Sequence, residues 1–266
     1  MIKEDLLNLV PPVLRARGWR LYTGKGRLVD LWQYGGRAVL GHNPSGLLRA
    51  FKNNAERGLY VPHPHFAEER FCKALSALLP GRSFCIYENE TFLGNVLKAA
   101  ALGDFQNIPD DKISPRPLLW RPFFGTDKQA ALEAAPVLFP VLPCPFPGAP
   151  AVLAFDPEKA GDIPEKLPPS RRISPVALSA AARCIYDLLA DPARGTPRFL
   201  KVDKALKNNA VWKRQGVYLY YTGENYTALF RCFLDAGYLL PPTPEEPAIL
   251  PGELSPGEEV KLANLI

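Results

Sequence analysis

Residues 18–48, GWRLYTGKGRLVDLWQYGGRAVLGHNPSGLL, decide how this chain is read. Arg20 to Tyr22 and Leu28 to Trp32 have the composition of two short strands. Between them Gly24-Lys25-Gly26 supplies the positive φ that a tight hairpin demands. Gly35-Gly36 and Gly41-His42-Asn43-Pro44 follow as a glycine-rich crossing that runs into a helix. That helix is predicted from Pro44 to about Arg57, with Leu47, Leu48, Phe51 and Ala55 on one face and Gly58 closing it.

Working outward, a short helix is predicted at Lys3 to Leu9, stopped by Pro11-Pro12. Downstream, a helix from about Phe66 to Leu79 turns Phe71, Leu75, Leu78 and Leu79 inward and ends at Pro80-Gly81. A buried strand at Ser83 to Tyr87 feeds a helix from Thr91 to about Leu102, which makes a strand-to-helix unit of an α/β protein. The stretch from Gly103 to Arg172 is proline-rich and holds two apolar strand candidates, Val137 to Leu142 and Ala151 to Phe155. Ser174 then caps a helix opened by Pro175 and carrying Val176, Ala181, Ile185, Leu188 and Leu189 inward. A strand at Gly216 to Tyr221, a helix from about Asn225 to Ala236 and a strand at Tyr238 to Leu240 lead to a last helix. Ser255-Pro256-Gly257-Glu258 opens that helix as a capping box.

Composition narrows the classes. With 266 residues, 47% of them hydrophobic and 22% charged, the chain can bury a real core. The net charge of +5 is not gathered into a basic tract, so nucleic-acid binding is not expected. No apolar run approaches the roughly 20 residues that span a bilayer, and MIKEDLLNLVPP lacks the core of a signal peptide, so no membrane contact and a cytoplasmic location are expected. The five cysteines, Cys72, Cys85, Cys144, Cys184 and Cys232, form no C-x-x-C pair and read as buried, reduced thiols among apolar neighbours.

Gly24-Lys25-Gly26, Asp30, Gly35-Gly36 and Gly41-His42-Asn43-Pro44 occur in the order and spacing of the entry segment of class III pyridoxal-phosphate-dependent aminotransferases, which residues 18–100 resemble. Ser174-Pro175 with Ala180-Ala181-Ala182 is similar to that family's N-P-x-x-x-A-A helix. Residues 233–241 and the closing AILPGELSPGEE resemble its C-terminal small domain. The resemblance implies an α/β chain: a shortened fold type I transferase with a reduced central sheet and an α+β small domain built from both termini. It implies an N-terminal segment over 1–80, a reduced cofactor-type domain over 81–190 and a C-terminal small domain over 191–266, and a homodimer.

The residues that carry the family's chemistry are altered. A phosphate cradle needs exposed N–H groups at a helix start, small residues and a hydroxyl. Where the resemblance places that cradle the chain has Glu88, Asn89 and Glu90, and two carboxylates repel a phosphate. An aspartate on the pyridine nitrogen and a Schiff-base lysine are also implied. Asp156, at the end of the Ala151 to Phe155 strand, and Lys166 or Lys159 beyond it are the candidates, with Arg171 and Arg172 as candidate phosphate contacts. His42 reads as a structural loop residue and His63-Pro64-His65 as a surface turn. Tyr218, Tyr220, Tyr221 and Tyr226, beside Trp212, Lys213 and Arg214, read as an alternating strand of the small domain with half-exposed rings. The expectation is therefore a chain that keeps the fold, has lost the cofactor and acts by binding or scaffolding. The alternative is a pyridoxal-phosphate enzyme in which Asp156 and Lys166 converge at the carboxyl ends of the sheet.

Overall fold

The computed structural model describes residues 5–103, 116–125, 129–190 and 199–266. In chain order the elements are β1 (Val13–Arg17), β2 (Arg20–Thr23), β3 (Gly26–Asp30), α1 (Leu47–Ala55), α2 (Ala67–Leu78), β4 (Ser83–Tyr87), α3 (Glu90–Ala99), β5 (Leu118–Trp120), α4 (Gln129–Ala134) and β6 (Val137–Pro140). They continue with β7 (Ala151–Phe155), α5 (Pro175–Leu189), α6 (Leu200–Leu206), β8 (Trp212–Gln215), β9 (Tyr218–Tyr221), α7 (Tyr226–Asp235), β10 (Tyr238–Leu239), β11 (Ala248–Ile249) and α8 (Pro256–Ala263). Two compact units result, one from residues 1–43, 123–125 and 193–266, the other from 44–122 and 126–192.

The second unit is built on a four-stranded sheet in the order β4-β7-β6-β5. β5 and β6 are parallel, whereas β7 runs antiparallel to both β6 and β4, so β4, β5 and β6 point the same way. Every residue of β6 and β7 is buried, which is how a strand covered on both faces reads in sequence. On one side Phe71, Leu75, Ala181, Ile185, Ile86 and Val152 join α2 and α5 to the sheet. On the other, Leu93, Val96 and Leu97 of α3 meet Tyr87, Phe139, Leu153 and Phe155. Ser174 caps α5 by accepting the Ala177 N–H, and Pro175 fills its first position.

β4 lies at a sheet edge, where unpaired backbone groups would be a liability. Residues 168–171 cover it. The Ile86 N–H donates to Ser170 Oγ at 2.9 Å, the Arg171 N–H donates to the Ile86 carbonyl at 2.9 Å, and the Tyr87 hydroxyl donates to the Pro168 carbonyl at 2.9 Å.

The first unit holds the sheet β1-β2-β3-β10, an antiparallel meander closed by the parallel pair of β3 with β10, and the antiparallel sheet β11-β9-β8. Leu31 links the two sheets, because its N–H donates to the Leu239 carbonyl and its own carbonyl accepts the Ile249 N–H at 2.7 Å. Both chain ends thus supply this small domain, as expected from the resemblance.

Several local expectations need correction. The helix predicted over Lys3 to Leu9 starts outside the described residues, and within them only a single 3-10 turn forms at Leu6–Leu9. The strand predicted to Trp32 ends at Asp30, because the Asp30 carboxylate takes the N–H groups of Trp32 and Gln33 and turns the chain. The strand predicted over Gly216 to Tyr221 forms as β9, starting at Tyr218, and pairs across a Gly216-Val217 turn with β8, a strand not predicted from the sequence. Of the cysteines expected to be buried, Cys144 and Cys184 are, Cys85 is half-buried, and Cys72 and Cys232 are exposed.

Glu258 ties α8 to the β2–β3 hairpin. Its carboxylate accepts from Arg20 Nε at 3.0 Å and Arg20 Nη2 at 2.7 Å, from the Ser255 N–H at 2.8 Å, and lies 3.0 Å from Arg27 Nη2. Burial by itself pushes this carboxyl up, but the Arg20 and Ser255 donors outweigh it and hold the pKa at about 2, below its ordinary 4.5. A folded-state pKa below the unfolded one adds stability that is present above about pH 4.5 and lost as the pH falls toward 2. Allowing for its contact with water, the contribution is about 1–2 kcal/mol. Thermal melts between pH 7 and pH 2 are expected to show that Glu258→Gln is less stable than the parent at neutral pH, and that the gap closes in acid.

Candidate functional site

In open α/β sheets ligands are met at the carboxyl ends of parallel strands. Here those ends belong to β4, β5 and β6. After β4 the chain passes through Glu88 to Asn89, which caps α3. Asn89 is extended, and its Oδ1 accepts the Phe92 N–H at 2.9 Å, taking one of the donors a helix start would offer an anion. Glu88 is exposed, and its Oε1 lies 3.6 Å from Arg171 Nη1. The same guanidinium sits over the Phe92 ring, 4.5 Å from its centre, in a cation–π contact. Arg171 is therefore brought to the helix start that the sequence marked, and a carboxylate meets it there. Arg172 is exposed on the approach to α5.

Arg121, with 7% of its surface exposed, follows β5. β6 is followed by Val141 and Leu142, and Cys144 stands just beyond; all three are buried. The arrangement around β5, α4 and β6 is strand, helix, parallel strand, and neither strand end carries a carboxylate or a lysine in these first positions.

Asp156 stands elsewhere. Phe155 pairs with Ser83 and with Val137, the first residues of β4 and β6, so Asp156 lies at the edge where the parallel strands begin. Its Oδ1 accepts the N–H groups of Glu158 and Lys159, and its Oδ2 is 2.9 Å from Lys159 Nζ. The Lys159 ammonium bonded to it holds the Asp156 carboxyl below the usual range. That ammonium also donates to the Glu133 carbonyl at 2.9 Å. Lys166 is exposed and pairs with Asp162 at 2.7 Å. The structure thus joins Asp156 to Lys159 and Lys166 to Asp162, and does not bring Asp156 and Lys166 together at the carboxyl ends.

In the first unit the hub is Asp30, 1% exposed. Oδ1 accepts from the Trp32 and Gln33 N–H groups at 2.9 Å each, and Oδ2 is 2.7 Å from His42 Nε2. His42 is placed by Gly41, whose φ is +89° and where a Cβ would stand 3.1 Å from the Gly18 backbone. The His42 N–H then reaches the Gly18 carbonyl at 2.8 Å. The Asp30–His42 pair could not be found from spacing, since the two lie twelve positions apart along chain with no helix or strand period to relate them.

His65 Nδ1 accepts the Ala67 N–H at the start of α2, and the His65 ring lies 4.0 Å from that of Phe66. No group of three or more His, Cys, Asp or Glu able to hold a metal occurs among the described residues. Of the aromatic group, Trp212 and Tyr218 are buried, Trp212 packing on Tyr221 and Phe233, while Tyr220, Tyr221 and Tyr226 are half-buried. Among the described residues no helix is long and apolar enough to cross a membrane.

No protein-family model matches the chain. An uncharacterised protein of Treponema pallidum (strain Nichols) is 29% identical across an alignment of 297 residues that covers 94% of this chain and 92% of that one. An uncharacterised protein of Borreliella burgdorferi is 40% identical over 72 residues, 27% of each chain. Among solved structures, ornithine delta-aminotransferase of Plasmodium falciparum is similar with a TM-score of 0.69 at 10% identity, covering 96% of this chain and 91% of that one. A glutamate-1-semialdehyde aminomutase of Pseudomonas aeruginosa PAO1 gives 0.65 at 13%, with 95% and 86% covered. Serine palmitoyltransferase of S. paucimobilis gives 0.69 at 8%, with 99% and 92% covered. At such identities the likeness concerns the backbone. The chain has the fold of the pyridoxal-phosphate-dependent transferases, with small sheets and a reduced central one.

Proposed function

We propose that this protein is a degenerate, shortened member of the aminotransferase fold that has lost pyridoxal-phosphate catalysis and acts by binding or scaffolding, as a homodimer, in the reducing cytoplasm. One observation carries the reading. The carboxyl ends of the three parallel strands present Glu88-Asn89-Glu90, Arg121, and Val141 with Leu142, a set that supplies neither a phosphate cradle nor a lysine. The residues do not fit the cofactor. Asn89 occupies a helix-start donor, Glu88 repels a dianion and engages Arg171, and the Asp156 carboxylate is bound by Lys159 on the other edge. The homodimer reading is supported by the exposed Leu48, Tyr60 and Val61 in the second unit. The reducing compartment is supported by the five free cysteines.

The test is a visible absorption spectrum after incubation with pyridoxal phosphate and dialysis, followed by borohydride reduction and peptide mapping. No retained band and no labelled lysine are expected. A band retained after dialysis, with label on Lys166 or Lys159 and loss of both in the alanine variant, would establish the enzyme reading instead. Sedimentation at micromolar concentration is expected to give twice the mass of one chain.

A further inference from the structure

The helical layer of the second unit holds a cavity of about 350 Å³. Four arginines line it, Arg49, Arg57, Arg70 and Arg183, and no carboxylate does. Their spacing is helical. Arg49, Asn53 and Arg57 repeat every four residues along α1 and just beyond it, Phe66 and Arg70 do so at the start of α2, and Ser179 and Arg183 do so on α5. Residues four apart share a helix face, so three packed helices each turn an arginine toward one space.

Of the acids on these helices, two pair with lysines, Asp187 pairs with Arg183, and the half-buried Glu68 of α2 is not among the lining residues. Glu56 pairs with Lys52 and Glu69 with Lys73. The guanidinium groups of Arg49, Arg57 and Arg70 make no ion pair or hydrogen bond among the described residues. Arg183 is held in place, with Asp187 Oδ1 2.6 Å from its Nη2 and its stem laid over the Gly46 backbone. The floor is polar although it adjoins the apolar core. Asn54 and Ser179 are 8% and 9% exposed, the Ser179 hydroxyl donates to Asn54 Oδ1 at 3.4 Å, and Asn54 Nδ2 donates to the Ala50 carbonyl at 2.8 Å.

Unmatched guanidinium groups around one cavity repel one another, and a bound anion turns that repulsion into attraction. Guanidinium is also the cation whose donor geometry matches phosphate oxygens two at a time. A phosphate group brings up to two charges and three acceptor oxygens, where a carboxylate brings one and two. The volume falls in the small-molecule range. We infer that this cavity binds a small phosphorylated ligand carrying at least two anionic groups. The inference does not rest on the loss of cofactor chemistry, since its residues lie outside the strand ends on which that reading depends.

The test is titration calorimetry of the full chain with inorganic pyrophosphate at 50 mM salt, with orthophosphate, citrate, poly-glutamate and anionic phosphatidylglycerol vesicles as comparison arms. Pyrophosphate is expected to bind once per chain, at least tenfold more tightly than citrate, and to weaken steeply as salt rises. Arg57→Gln and Arg70→Gln are each expected to weaken it about tenfold, and Arg57→Lys less, because charge survives while the paired donors are lost. Those arginines are exposed, so the variants should melt with the parent. Gly46→Ala places a Cβ 2.0 Å from Arg183 Nε and must move that side chain without removing its charge, so a several-fold loss is expected. Absence of saturable pyrophosphate binding, binding unchanged in both glutamine variants, or tighter binding to poly-glutamate or vesicles would each overturn the inference. The pyridoxal phosphate spectrum is read separately, so either result can fail alone.

Discussion

Asp30→Ala is expected to destabilise the first unit by about 3–5 kcal/mol, because it takes the acceptor from several hydrogen bonds around one buried carboxylate. The carboxylate serves three donors at once, the N–H groups of Trp32 and Gln33 and the His42 ring. Alanine replaces none of these acceptors, and a buried N–H left unpaired costs about 1–3 kcal/mol. The loss also releases the turn that follows. Gln33 and Tyr34 hold φ of 49° and 52°, a left-handed conformation that L-residues adopt only when their surroundings impose it. Asp30→Asn keeps one carbonyl acceptor and is expected to lose about half as much. Urea unfolding followed by tryptophan fluorescence is suited to the measurement, since Trp19 and Trp32 flank the site. A loss below about 1 kcal/mol for the alanine variant would mean that water replaces the carboxylate and that the hub is not structural.

Gly216→Ala should be nearly as costly, about 2–4 kcal/mol, and by a different route. Gly216 opens the two-residue turn between β8 and β9 with φ +58°, the sign that a first turn position of this hairpin type requires. A Cβ there would stand 2.1 Å from the Phe123 carbonyl oxygen and 2.7 Å from the Phe124 carbonyl carbon. Both are backbone atoms, so no side-chain rotation relieves the clash. The Val217 N–H donates to the same Phe123 carbonyl at 3.3 Å, and moving that oxygen breaks the contact. The apparent Tm is expected to fall by about 5–15 °C for a chain of this size. Gly223→Ala makes a useful contrast, because the nearest atoms its Cβ meets belong to a side chain, the Tyr221 ring, at 2.2 Å from the hydroxyl oxygen.

Where a signal was local and repeated, the sequence was readable. The apolar run Ala151–Phe155 forms β7 with the bounds its composition marked, and Ser255 with Glu258 forms the capping box that their spacing announced. Ser174-Pro175 begins α5 for the same reason. What escaped depends on partners far along the chain. Val13–Arg17 is an edge strand with little buried surface, so it carries no alternation, and β8 hides behind the charged pair Lys213-Arg214. At the candidate site, Glu88-Asn89-Glu90 was legible because a helix start has a residue signature. Arg121 and the end of β6 were not, since three-residue β5 gives too weak a pattern to align by eye. The arginine cavity was likewise hidden: its residues come from three helices, and only packing shows that Arg57, Arg70 and Arg183 face one space.

The parallel pairing of β3 with β10 bears on how a ribosome would deliver this molecule. Val29 waits for Tyr238, which emerges roughly two hundred residues later. At ordinary elongation rates of about 5–20 residues per second that interval is on the order of 10–40 s. The second unit lies entirely within residues 44–192, so it can close while the N-terminal sheet is still without its fourth strand. During that time the open side of β3, bearing Leu28 and Val29, is the segment that chaperones or a second nascent chain would meet first. Stalling translation before Tyr238 should leave a folded second unit attached to a protease-sensitive N-terminus.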